Sequence, residues 1–207
     1  MTETEKPQLC LITPPEPDPS RLTARLLPAL DAAEVACVRL SLPTRNEDQI
    51  IRAADALRDL CHARDIALLI DDHVLMVGRL GLDGVHLTDA ARSVRGARRA
   101  LGADAIVGAF CGASRHDGMT AGEAGADYVC FGPAGATTLG RGERAGVDLF
   151  QWWSELIEIP VVAEGALGED TIPTLAPVAD FLAIGEEIWG AEDPALRLKR
   201  LVRAIGG

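Results

Sequence analysis

The chain has 207 residues, 48 % of them apolar, with a formal net charge of −11. That length fits one domain spanning residues 1–207, near the lower limit for an eight-unit α/β barrel. An acidic chain repels nucleic-acid backbones and anionic membranes, where affinity comes mostly from Lys and Arg, so the expected partner is a small molecule, with no nucleic acid and no membrane.

Residues 1–7 read as an extended or disordered lead-in. They are polar and acidic, without the basic and apolar regions of a secretory signal, and the protein is expected in the cytoplasm. The longest apolar stretches, such as Ile66 to Ile70, are too short to span a bilayer. Short β-rich runs then recur: Leu9–Thr13, Val35–Leu40, Ala67–Ile70, Gly84–Leu87, Ile106–Phe110, Tyr128–Phe131, Pro160–Ala163 and Asp180–Ile184. Each has the length of a strand buried on both faces.

Segments with helical spacing lie between them. Leu22, Leu26, Leu27 and Leu30 form one stripe, Ile50, Ile51, Ala54, Leu57 and Leu60 another, and Leu196, Leu198, Leu201, Val202 and Ile205 the last. Pro19-Ser20, Asn46-Glu47-Asp48 and Asp193-Pro194 mark helix starts. Eight strands alternating with eight helices at a repeat of about 26 residues predict an α/β fold, a single (β/α)8 TIM barrel. An open doubly wound sheet is the other arrangement, and eight regular units without an inserted cap favour closure. Two loops stand out: the proline-rich Thr13–Ser20 and the glycine-rich Pro133–Gly146, whose length predicts a lid. Five cysteines without a CxxC pair read as small buried hydrophobes.

Active sites of such barrels lie at the C-terminal ends of the strands. That rule selects Arg39 and Ser41 after strand two, Asp71, Asp72 and His73 after strand three, and His86 and Asp89 around strand four. It also selects Glu164 after strand seven and Glu186 after strand eight. Asp71, Asp72 and Asp89 suit a hard cation such as Mg2+, although Asp71 or Asp72 is expected to cap the third helix. His86 reads either as a satisfied structural histidine or as a pocket residue. In the lid, Thr137, Thr138, Arg141 and Arg144 suit an anionic ligand or a solvated loop. Barrel phosphate sites use backbone amides of the loops after strands seven and eight. Glu164 and Glu186 fall there, and a carboxylate 4 Å from a phosphate charge costs roughly 4 kcal/mol at an effective dielectric near 20.

LCLIT at 9–13, LIDD at 69–72, GLDGVHL at 81–87, GADYVCFGP at 125–133 and PVVA at 160–163 occur in an order and spacing that covers nearly the whole chain. In this the chain resembles thiamine phosphate synthase and its relative, the thiazole tautomerase. The resemblance implies a Mg2+-dependent transferase that joins hydroxymethylpyrimidine diphosphate to thiazole phosphate and releases diphosphate. It places Asp72, with Asp89, at the metal, and Arg39, Thr137 and Arg141 at the diphosphate; the strand-end rule adds Asp71, His86, Glu164 and Glu186 to the expected substrate-binding set. The family's Gln, Arg and Lys after strand two meet Arg39, Ser41 and Pro43. Its aspartate after strand four meets Ala91, and its strand-five serine meets Phe110. Its Gly-Gly after strand seven meets Gly165-Ala166, and its Val-Ser at strand eight meets Gly185-Glu186. The tautomerase histidine falls near Gly112.

A second reading is a non-catalytic or repurposed barrel in which Glu164 and Glu186 accept from an uncharged or cationic ligand. A third is an interaction role. Trp152 and Trp153 are helix neighbours pointing about 100° apart, so one lies at a subunit interface, as in a homodimer, or partly buried under a loop.

Overall fold

The computed structural model describes residues 6–135 and 143–206. Eight parallel strands close in sequence order, with β1 pairing both β2 and β8. They are β1 (Gln8–Ile12), β2 (Cys37–Leu40), β3 (Ala67–Asp71), β4 (Gly84–Leu87), β5 (Ile106–Phe110), β6 (Tyr128–Phe131), β7 (Val161–Glu164) and β8 (Phe181–Ile184). This is the (β/α)8 barrel that the strand count and spacing predict.

The described helices are α1 (Pro19–Leu30), α2 (Glu47–His62), α3 (Val74–Leu80), α4 (Val94–Leu101), α5 (Arg115–Glu123), α6 (Val147–Leu156), α7 (Ile172–Leu175), α8 (Glu186–Trp189) and α9 (Pro194–Ile205). That is nine among the described residues rather than the expected eight. The extra element is α8, which ends at Gly190, and a new helix starts at Pro194, a residue suited to a first turn because it brings no N–H. Side chains of Asp18, Asn46 and Asp193 cap α1, α2 and α9 by accepting from Arg21, Gln49 and Leu196 amides. The third helix corrects the sequence reading. Its cap position is His73, without a side-chain cap bond, because Asp71 and Asp72 are held by partners elsewhere.

Strand residues alternate between two cores. Leu11, Val38, Leu40, Ile70 and Phe131 pack outward under the helices, whereas Cys10, Cys130, Val162 and Ala183 form a smaller cluster inside the barrel. All five cysteines are free thiols. The adjacent tryptophans divide as their angular spacing requires. Trp153 is fully buried against Phe131 and donates to the Ile159 carbonyl at 2.7 Å. Trp152 is half-buried with the Arg115 guanidinium 4.7 Å over its ring.

Two interior glycines make room for larger side chains on the next strand. A Cβ at Gly84 would lie 2.1 Å from the Ile106 carbonyl oxygen, and one at Gly108 would lie 1.9 Å from Cζ of Tyr128. Backbone cannot retreat as a ring can. Gly84→Ala is therefore expected to cost about 3 kcal/mol, at the upper end for overpacking, and Gly108→Ala less. Urea unfolding of the two variants checks this order.

Candidate functional site

The C-terminal mouth of the barrel is organised around one guanidinium. Alternation along β2 turns Cys37 and Arg39 inward, and the register sets Arg39 beside Leu69 of β3. Arg39 is 6 % exposed. It donates from Nη1 to Glu164 Oε2 at 2.6 Å and from Nη2 to Glu164 Oε1 at 2.9 Å, a two-pronged pairing of the fork with one carboxylate. Its Nε lies 3.2 Å from Asp71 Oδ1, close enough for an ion pair, although neither atom has a hydrogen bond of good geometry.

Burial works against the Arg39 charge, and Glu164 more than offsets it, so the guanidinium is held more firmly charged than usual. Burial would push Glu164 up, but Arg39 prevails and brings its pKa down to about 2. Asp71 is raised by burial, with Arg39 opposing. The three side chains sum formally to one cation against two carboxylates.

A second arm runs down into the barrel. Arg39 Nη1 lies 3.0 Å from His86 Nε2, and His86 Nδ1 lies 2.8 Å from the Tyr128 hydroxyl. Burial, with help from Arg39, lowers the His86 pKa to about 3, so the imidazole is neutral near pH 7. Arginine only donates, so Nε2 accepts and the ring proton sits on Nδ1. His86 is 1 % exposed and has a partner at each ring nitrogen. Cys130 completes the cluster with its Sγ donating to Glu164 Oε2 at 3.2 Å, and burial pushes its thiol well up.

The other expected site residues take separate places. Asp72 is exposed, with its carboxylate accepting from the Thr88 amide at 2.8 Å and the Thr88 hydroxyl at 2.6 Å. Asp89 accepts from the Ser93 hydroxyl at 2.6 Å and keeps its buried Oδ1 without a partner. Among the described residues no group of three or more His, Cys, Asp or Glu side chains could hold a metal ion. Both Asp72 oxygens are taken up by Thr88, so the unpartnered Oδ1 of Asp89 is the atom that suits a hard cation such as Mg2+. Thr137 and Arg141 lie outside the described residues. Arg144, at the end of that loop, donates to the Ala134 carbonyl at 2.7 Å.

Glu164 and Glu186 differ from the expected arrangement. Glu164 is the last residue of β7, not of the loop, and strand alternation turns it inward onto Arg39, which meets its charge. Glu186 is exposed at the start of α8. Its neighbour Glu187 is the residue that reaches the loop amides, accepting from Leu167 N at 3.1 Å and Gly185 N at 2.8 Å. The sequence shows two adjacent glutamates without showing which one turns back. Glu187→Ala is expected to cost about 1–2 kcal/mol by stranding these amides. Thermal unfolding in 20 or so millimolar phosphate, at about the ionic strength of the cell, checks whether the freed amides then accept an anion.

The family model described as thiamine monophosphate synthase matches residues 9–188. The chain belongs to this family. It is 45 % identical over 186 residues to the thiamine-phosphate synthase of Rhodospirillum centenum, covering 88 % of this chain and 89 % of that one. It is 38 % identical over 202 residues to the thiamine-phosphate synthase of Erythrobacter litoralis, with 94 % of each covered. The solved thiamine phosphate pyrophosphorylase of Pyrococcus furiosus superposes with a TM-score of 0.84 over 96 % of this chain and 95 % of that chain, at 23 % identity, a likeness of fold.

Proposed function

We propose that this chain works in thiamine biosynthesis as a thiamine phosphate synthase-type protein whose mouth holds an uncharged or cationic heterocycle, without carrying out the transfer that releases diphosphate. One observation carries the reading. Arg39, the buried guanidinium at the mouth, is consumed by Glu164 and Asp71. A dissociative transfer needs positive groups aimed at the departing diphosphate. Here the formal charge of the cluster is negative, and Glu187 already sits on two loop amides. Such a surface favours an amine or a thiazolium-like ring over an anion.

The test is incubation of the pure protein with hydroxymethylpyrimidine diphosphate, thiazole phosphate and Mg2+. The expected result is no thiamine phosphate above background at high protein concentration. In a parallel thermal-shift series, aminopyrimidine and thiazolium compounds raise the melting temperature and inorganic diphosphate leaves it unchanged. Turnover, or stabilisation by diphosphate alone, overturns the reading.

The 45 % identity to a thiamine-phosphate synthase favours a second reading, in which the chain is a catalyst of that type. Mg2+ would then be met by Asp72 and Asp89 and would supply charge stabilisation to the diphosphate, and Thr137 and Arg141 would face the same group. Asp72→Asn is then expected to abolish turnover, whereas under the first reading it leaves heterocycle binding intact.

A further inference from the structure

The barrel interior holds a second concavity, at the end opposite the site described above. It measures about 210 Å³ and is lined by residues that open their strands: Cys37 on β2, Ala67 on β3, Tyr128 on β6 and Phe181 on β8. Deeper in, Val162 and Leu69 wall it, and the lining is mostly apolar. Phe181, Cys37, Ala67 and Tyr128 are each partly exposed, so the well opens on the N-terminal face. That face carries no βα loop and has no part in the mouth chemistry.

The polar groups at its roof are unbalanced in one direction. Because His86 Nε2 accepts from Arg39, His86 Nδ1 donates and the Tyr128 oxygen accepts. The Tyr128 hydroxyl proton then has no acceptor among the described residues. Arg39 also lines the well, and with Nη1 spent on Glu164 and His86, one of its two Nη2 protons has no acceptor there. The well therefore offers two donors from these groups, against the single lone pair left on the Tyr128 oxygen. An anion is disfavoured, since Asp71 and Glu164 outnumber the Arg39 charge they surround.

We propose that this well is a second ligand site, taking a small neutral aromatic ring that bears one hydrogen-bond acceptor. Size supports it: an apolar cavity of about 150 Å³ accommodates benzene. The well has room for such a ring and a carbonyl substituent. Ring and wall meet through dispersion and apolar burial, while the carbonyl takes the Tyr128 proton. This proposal is independent of the reading of the mouth.

A matched pair of probes tests it. Acetophenone and α-methylstyrene have nearly the same shape, and only the first carries an acceptor. In an NMR titration of the whole protein, acetophenone is expected to bind about five-fold more tightly, the size of one net hydrogen bond. Resonances of Val162 and Phe181 should shift. Tyr128→Phe should equalise the two probes, and Ala67→Leu, which narrows the opening, should abolish binding of both. Equal affinities in the unaltered protein overturn the proposal. So do absence of binding up to the solubility limit, an unchanged preference in Tyr128→Phe, and shifts confined to the Glu164 mouth.

Discussion

Glu164→Ala is expected to lower stability by about 3–5 kcal/mol, the cost of leaving one member of a buried ion pair alone. For a domain of this size that corresponds to a fall in melting temperature of roughly 10 °C. The reason is asymmetric. The pair itself offers little net gain, because both groups were desolvated to form it. Once the carboxylate is gone, Arg39 remains with a side chain only 8 % exposed and with Asp71 as its one remaining counter-charge among the described residues. Glu164→Gln should lose less, since the amide oxygen still accepts from the fork. The double replacement Arg39→Met with Glu164→Leu should lose less than the sum of the single changes. Chemical unfolding of the four proteins measures the coupling, and a cost below about 1 kcal/mol for Glu164→Ala would sink this account. The same variant bears on function: with Glu164 removed, Arg39 is released toward the mouth, and inorganic diphosphate should now raise the melting temperature.

Much of the barrel can be read from the chain, because strand length, apolar runs and turn residues are local signals. Gly84–Leu87, Ile106–Phe110 and Tyr128–Phe131 have the same bounds in the sequence reading and in the structure. The site is less legible because its decisive contact is not local. Arg39 and Glu164 are 125 positions apart, and only barrel closure brings β2 and β7 face to face across the interior. Half of that signal was nonetheless present. Cys37 and Arg39 share one parity on β2, as Val162 and Glu164 do on β7, so both charges could be assigned to the interior before any pairing was known. What parity cannot give is the partner, since Asp71 at the end of β3 shares the inward parity of Leu69 just as Glu164 shares that of Val162. Glu187 illustrates a different limit. Whether it or Glu186 turns back onto the loop amides depends on the phase of a four-residue helix, which no periodicity can fix.

Stability is expected to fall in mild acid, beginning near pH 6.5, with His86 as the cause. Burial and Arg39 hold its folded pKa down at about 3, while the unfolded chain protonates near the ordinary value of 6.5. Between those values the unfolded state binds a proton that the folded state refuses, so stability is fully present above pH 6.5 and is lost as pH falls toward 3. At one proton the slope approaches 1.4 kcal/mol per pH unit, or about 3 kcal/mol by pH 4.5. Glu164 steepens the decline below about pH 4.5, where it protonates in the unfolded chain but not until about 2 in the fold. Asp71 acts in the opposite sense, since burial raises its folded value and its protonation in acid relieves a cost. His86→Gln separates these contributions. The glutamine side chain can accept from Arg39 and donate to Tyr128 without titrating, so the decline between pH 6.5 and 4.5 should disappear while the steeper one below it remains. Urea midpoints at about pH 7.5, 6.5, 5.5, 4.5 and 3.5 for both proteins, at constant ionic strength, provide the comparison. If the variant keeps the full slope in mild acid, the imidazole is not the group that titrates, and the neutral donor-acceptor chain from Arg39 through His86 to Tyr128 is wrong.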